Sequence, residues 1–472
     1  MRLEILPSAA LLATGAWLAD PAPATAQQSE TVLVVENVNV IPVAVPGVQS
    51  GRTVVIRGDR IERIAGPGEV QVPDGAVRID GSGRYLMPGL AEMHAHVPPG
   101  TPPEQLVEDI LFLYLANGVT TIRGMLGAPY QLELRDRIER GEVLGPRFLV
   151  GAPSLNGNSA PDPTTAERLV REHAAAGYDF LKLHPGLSVP TYEAIVRTAG
   201  EEGITTGGHI SVEVGLERTL EARQGTIDHM DGFLESTLPP ELRDRVRSPT
   251  DPVPPGEVWR AARASEVPAL ARATREAGVW VVPTAKLWES LYGPLDPEEA
   301  AGWPEMRYVP RSMVDGWVQQ KRNSSQQRAS SGVTEADIEA YMTFRRELLR
   351  TLAEEDVGIL LGTDSPQLFS VPGFSIHREI AFMHEHGFSP EAILEAGTIN
   401  VARYTRDVLG MEGDFGTVEP GQRADLVLLT GNPLDDPAHI RDPAGVIVGG
   451  HWLPAEEIRQ ELEAIAARNP DR

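Results

Sequence analysis

Pro88-Gly89-Leu90-Ala91-Glu92-Met93-His94-Ala95-His96 is an apolar run that closes on two histidines one residue apart. In an extended strand, side chains at i and i+2 share a face, so His94 and His96 can both address one metal ion. A His-x-His pair by itself is a weak sign. Its weight depends on what later strands carry at their ends.

Downstream, one figure repeats. A helical stretch stops at or near glycine and an apolar, β-branched run follows, as at Gly118, Gly177, Gly203, Gly225, Gly278 and Gly358. Glycine serves there as the left-handed helix stop, and runs apolar on both faces suit buried parallel strands. Eight strands result: Leu86–His94, Gly118–Met125, Pro146–Ala152, Asp179–His184, Gly203–His209, Gly225–His229, Gly278–Ala285 and Gly358–Asp364. Eight βα units over about 300 residues predict a (β/α)8 barrel, with a doubly wound open sheet as the alternative.

A barrel keeps its chemistry at the C-terminal ends of its strands. Strand one ends in His94 and His96, strand four carries Lys182, strand five ends in His209, strand six in His229 and strand eight in Asp364. Chance places one such residue easily; five strands are another matter.

Both ends of the chain are β-rich. Thr31–Ile41, Arg52–Ala65 and Ala76–Leu86 are separated by Pro and Gly turns, and Ala424–Thr430 and Val446–Gly450 form a matching pair near the other end. The expected organisation is a composite β-sandwich from residues 30–86 and 413–454, the barrel at 87–412, and a helical tail at 455–472. At 41% hydrophobic and 23% charged the chain has the composition of a globular protein. A formal net charge of −25 argues against nucleic acid or anionic membrane as partner. The absence of cysteine removes disulfides and thiolate ligands, leaving His, carboxylates and Lys to hold a metal.

Residues 1–26 have the pattern of a secretory signal peptide: Arg2, a short apolar segment from Ala9 to Ala19, then Ala24-Thr25-Ala26 as a small-residue cleavage site. The apolar segment is too short to span a bilayer, so the expectation is an exported protein, periplasmic or secreted, with no stable membrane insertion. Oligomeric state is left open, a homo-oligomer included.

The chain resembles the amidohydrolase superfamily of binuclear metal-dependent hydrolases, and within it the imidazolonepropionase and Xaa-Pro dipeptidase branch. The likeness rests on Met87–His96, Phe180-Leu181-Lys182-Leu183, Ile227-Asp228-His229, Leu361-Gly362-Thr363-Asp364-Ser365, and the C-terminal return Phe415–Leu428 with Gly431-Asn432-Pro433-Leu434. It covers the chain from about Val32 onward. A β-sandwich beside the barrel is what the resemblance also implies.

His94, His96 and Asp364 can hold one divalent ion, and His209 and His229 offer two imidazoles to a second. The resemblance implies that Lys182 is carboxylated and that its carbamate bridges two divalent ions, with zinc expected. Carboxylation requires a partly neutral amine, which burial favours; the alternative is a lysine reaching from the barrel to solvent. A water shared by the two ions would be acidified, and Asp364 would take its proton and pass it to the leaving amine. Alternatively Asp364 merely caps the segment that follows it.

His184, two residues after Lys182, is a substrate contact or a pocket wall. Arg123, near the end of strand two, either pairs with a substrate carboxylate or forms a structural ion pair. Where relatives carry a Gly-rich or His-bearing stretch after strand three, this chain has Ser154-Leu155-Asn156-Gly157-Asn158-Ser159. The segment from Lys286 to Asp356, with Trp288, Tyr292, Trp303 and Trp317, reads as a long loop that can form a lid.

The functional expectation is a hydrolase of C–N amide bonds acting on a small molecule, a dipeptide or an N-acyl amino acid. Two alternatives stand beside it. One is a mononuclear deaminase or cyclic amidohydrolase; deaminases of this superfamily usually carry a glutamate three residues after the strand-five histidine and lack the lysine, whereas Glu213 stands four after His209. The other is a non-catalytic, metal-stabilised binding protein of the periplasm.

Overall fold

The computed structural model describes residues 31–248 and 253–469. The expected signal peptide lies outside the described residues, as does the last part of the expected tail, of which Ala455–Arg468 is helical. No helix among the described residues is long and apolar enough to cross a membrane.

The two ends of the chain meet in one sheet. Its order is His451–Pro454, Pro443–Val448, Leu426–Leu429, Tyr85–Pro88, Val32–Val40, Gln49–Arg57, Arg60–Ala65, with Val77–Asp80 also paired to Val32–Val40. Antiparallel pairing sets Leu428 opposite Leu86 and Val427 opposite Met87, which joins the last strands to the first. Val54, Ile56, Leu86 and Leu426 pack together beneath it, each such burial being worth about 1.5–3 kcal/mol. The unit expected as a sandwich is therefore hydrogen-bonded as a single eight-stranded sheet. Val32–Val40 is long enough to hold Gln49–Arg57 on one edge and both Val77–Asp80 and Tyr85–Pro88 on the other, which keeps the ladder continuous.

Between these ends, strands and helices alternate as in a TIM-type barrel. Seven parallel strands are formed: β1 (Leu90–Ala95), β2 (Val119–Gly124), β3 (Arg147–Val150), β4 (Phe180–Leu183), β5 (Thr205–Gly208), β6 (Thr226–Asp228) and β7 (Trp280–Val282). They make a sheet of β1 to β3 and a sheet of β4 to β7. Single backbone bridges join the two: Gly151 to Phe180 and Leu155 to Leu183 on one side, Val281 to Ile359 and Ala95 to Ser365 on the other. Helices before β4, β5 and β7 stop at Gly177, Gly203 and Gly278 with φ of 85°, 68° and 71°, as their sequence figure requires.

The eighth run, Gly358–Asp364, does not form the expected strand. It lies between β7 and β1, but the Glu92 carboxylate accepts from Thr363 N at 2.7 Å and from Thr363 Oγ1 at 2.6 Å, and Asp364 takes a φ of 64°. A backbone held by a neighbour's carboxylate cannot continue a regular ladder.

The segment expected as a long loop is mostly helical: α1 (Ala285–Tyr292), α2 (Arg311–Ser330) and α3 (Glu335–Glu354). The polar residues at 323–331 did not break α2, because that helix turns a polar face to water and carries no proline or glycine after Gly316 until Gly332. Thr334 and Asp337 then form a capping box that starts α3.

Candidate metal centre

The C-terminal ends of strands β1, β4, β5 and β6, together with the run before Ser365, bring His94, His96, Lys182, His209, His229 and Asp364 into one cluster. His94 Nε2 lies 3.6 Å from Asp364 Oδ1, His96 Nε2 lies 2.7 Å from the same oxygen, and His229 Nε2 is 3.8 Å from Asp364 Oδ2. Ligand-type atoms of His94, His229 and Asp364 all fall within 4.8 Å of one another. The His209 ring stacks obliquely at 4.5 Å from the His229 ring. Lys182 Nζ lies 3.4 Å from His94 Nε2 and 3.7 Å from Asp228 Oδ2, with its side chain wholly out of solvent. That burial excludes a lysine reaching outward.

Backbone geometry builds this convergence. Gly208, at φ 123°, is opposite Leu183; a Cβ there would stand 2.5 Å from Leu183 O and 2.9 Å from Lys182 Cδ. Only glycine lets β5 pass the Lys182 side chain and still deliver His209. His229 has φ 61°, which turns its ring away from the strand direction.

Three imidazoles have an oxygen beside Nδ1, through hydrogen bonds at His209 and His229 and an ion-pair contact at His94. His94 Nδ1 is 2.9 Å from Asp228 Oδ2, His209 Nδ1 is 2.8 Å from Asp231 Oδ2, and His229 Nδ1 is 2.7 Å from Thr284 Oγ1. A carboxylate, which can only accept, sets Nδ1 of His209 as the donor and leaves its Nε2 as a lone pair, the arrangement that metal-ligating histidines require; the Thr284 hydroxyl orients the His229 ring in either role. Burial pushes His94 down to about 4 and His229 well below the ordinary histidine range. Burial works against ionisation of Asp364, yet His94 and His96 outweigh it and hold the carboxyl well below the usual range. Neutral imidazoles around an ionised carboxylate are a donor set that fits a divalent cation. Burial also lowers the Lys182 ammonium, against the pull of Asp228 and Asp364, which favours the neutral amine.

Arg123 is not a substrate residue. Its side chain is fully buried and donates to Asp228 Oδ1 and Oδ2 at 3.2 Å, to Met93 O at 2.7 Å, to Thr226 Oγ1 at 3.2 Å and to the Tyr404 hydroxyl Oη at 3.1 Å. The structural ion pair left open by the sequence is the one formed, and it supports Asp228 beneath His94. His184, by contrast, lines the cavity over the cluster and its Nδ1 sits 2.6 Å from Ser154 Oγ. Ser154 comes from the polar stretch Ser154–Ser159 that follows β3.

Asp228, Asp231, Thr284 and Glu92 are supports that the strand-tip pattern of the sequence does not single out. A carboxylate inside the apolar run of β6 was the available sign for Asp228; Thr284 carries none, since hydroxyl residues at strand ends are common. The cavity itself holds about 600 Å³ and is walled on one side by α1.

Residues 85–453 match the family model described as Amidohydrolase family. No curated protein matches the sequence. Among solved structures, the bottromycin amidohydrolase is similar at 25% identity and TM-score 0.69, over 93% of this chain and 90% of that one. A Xaa-Pro dipeptidase with methionine bound in its active site is similar at 19% identity and TM-score 0.62, over 90% of this chain and 100% of the other. A prolidase complexed with N-methylphosphonate-L-proline gives 20% identity and TM-score 0.63 over the same shares. With the match running through nearly all of the barrel and its return strands, this chain belongs to the amidohydrolase family and is a hydrolase of carbon–nitrogen bonds.

Proposed function

We propose that the chain cleaves a C–N amide bond in a small substrate with the skeleton of a dipeptide or an N-acyl amino acid, using two divalent ions, zinc by preference, and a carboxylated Lys182 between them. His94, His96 and Asp364 would hold one ion and His209 and His229 the other. Bound there, the ions would supply an acidified water and polarise the scissile carbonyl.

The rest is done by side chains. Asp364, kept ionised beside three imidazoles, takes a proton from the attacking water and returns it to the leaving nitrogen. Asp228, Asp231 and Thr284 hold the rings so that no nitrogen turns away during the reaction. For carboxylation, the neutral Lys182 amine attacks the carbon of carbon dioxide: the N–C bond forms as one C–O π bond opens, and the amine proton passes to bicarbonate of the medium, leaving a carbamate anion.

The single observation that carries this reading is the buried Lys182 amine 3.4 Å from His94 Nε2, inside a shell of ligand-type atoms. Glu213 is exposed, so the deaminase alternative finds no acid at that position in the centre. Export through the 1–26 leader belongs to the same proposal and places the enzyme in the periplasm or outside the cell. The test is hydrolysis of dipeptides and N-acyl amino acids, free and with the carboxylate masked as ester or amide, by protein reconstituted with zinc and bicarbonate, with and without chelator, together with metal content per chain. Chelator-sensitive turnover at two ions per chain is expected. Turnover untouched by full metal removal would reject it, and two bound ions without turnover of any compound would favour the binding-protein alternative.

A further inference from the structure

We infer that the substrate of this centre is uncharged, an amide whose carboxylate is absent or masked and whose groups beside the scissile bond are apolar. The inference rests on the hydrolase reading above and narrows its substrate class.

The cavity wall facing the cluster is apolar: Leu126, Leu287, Trp288, Leu291, Met313 and Leu368. Leu287, Trp288 and Leu291 share the cavity side of α1, and Trp288 is fixed by stacking on Tyr292 at 5.6 Å and by an edge contact to the His229 ring at 6.1 Å. Apart from the ligand-type residues and His184, the polar groups among the described lining residues are Gln320, Gln367 and the Trp288 indole Nε1, all neutral.

Three cations near the cavity, Lys321, Arg345 and Arg123, are held by protein acceptors. Lys321 is buried and its Nζ donates to the carbonyls of Ser290 at 2.8 Å, Leu291 at 3.0 Å and Gly293 at 2.8 Å. Arg345 donates to His229 O at 2.9 Å and lies 4.5 Å from the Trp288 ring centroid. Arg123 is sealed against Asp228 below the cluster. None of the three lines the cavity. A carboxylate brought against this wall sheds its hydration and meets neutral amides, whereas an alkyl or acyl group is driven there by burial. A free ammonium fares no better, since Asp364, the carboxylate among the described lining residues, is already engaged by His94 and His96 and belongs to the ligand set proposed above.

The test uses a matched pair, N-octanoyl-leucine and N-octanoyl-isoamylamine, which differ by the carboxylate alone. Cleavage is read by release of octanoate, and binding by quenching of tryptophan fluorescence. The wild-type enzyme is expected to favour the isoamylamide by at least about tenfold in kcat/KM and in Kd. Gln320→Arg, on the exposed face of α2, is expected to move the ratio toward the free acid by a similar factor. Tighter binding of the isoamylamide without turnover of either compound upholds the inference and removes the amidase reading. Turnover of both with the free acid equal or preferred upholds the amidase reading and overturns the inference. An unaltered ratio in Gln320→Arg overturns the claim that missing positive charge sets the choice.

Discussion

Lys182 and His94 share a solvent-free space in which the lysine Nζ approaches the imidazole Nε2 to 3.4 Å. With the nearest carboxylate oxygen to the amine 3.7 Å away and burial favouring the neutral form, Lys182 is placed to be carboxylated, and a carbamate there would add anionic oxygens beside the imidazole ligands. Lys182→Ala is expected to lose most bound metal and to reduce activity by three orders of magnitude or more, on the order of 4 kcal/mol in the barrier. Metal analysis and kcat/KM check this together; two retained ions and full turnover would reject the bridge.

Arg123 and Asp228 are both fully buried. Taking away one member of such a pair leaves an uncompensated charge, so Arg123→Met should destabilise the protein by about 3–5 kcal/mol. Urea unfolding measures this. A substrate role would instead show as a raised KM with unchanged stability.

Lys321 ties α2 to the end of α1 through three carbonyls. Lys321→Met should loosen the wall that carries Trp288 and raise KM by about three- to tenfold, with kcat changed less than twofold. Equal losses in both constants would point to a general folding defect.

His377 is buried, its Nε2 3.1 Å from Asn117 Oδ1, and burial pushes its pKa down to about 3 from 6.5. The unfolded chain takes up a proton that the folded chain refuses. Stability from this group is therefore complete above about 6.5 and is lost as pH falls toward about 3, at no more than about 1.4 kcal/mol per pH unit. In the metal-free protein His377→Asn should flatten the urea midpoint against pH across that window, by its own share, since the buried histidines of the centre contribute the same sign. An unchanged slope would dismiss this account.

The strand-tip residues were legible because a barrel strand ends where its polar residue begins, and that boundary is written in the sequence at His94, Lys182, His209 and His229. Arg123 was not, since a cation at the end of an apolar strand looks the same whether it faces a ligand or a buried carboxylate; only Asp228 beside it decides. The irregular run before Asp364 was hidden for a related reason. Glu92 reaches across from a different strand to take the Thr363 backbone, and one-dimensional periodicity holds no record of that partner. Helix α2 was misread as loop because serine and asparagine signal turns, although an exposed helical face accepts them.

The pairing of Leu86 with Leu428 has a temporal meaning as well. An edge made early in synthesis stays unsatisfied until some 340 further residues have emerged, and during that wait its open backbone invites foreign strands. Loss of the final fifty residues would thus harm more than a peripheral tail: it would strip the opening strands of the neighbour that seals them, and self-association rather than inactivity would be the first symptom.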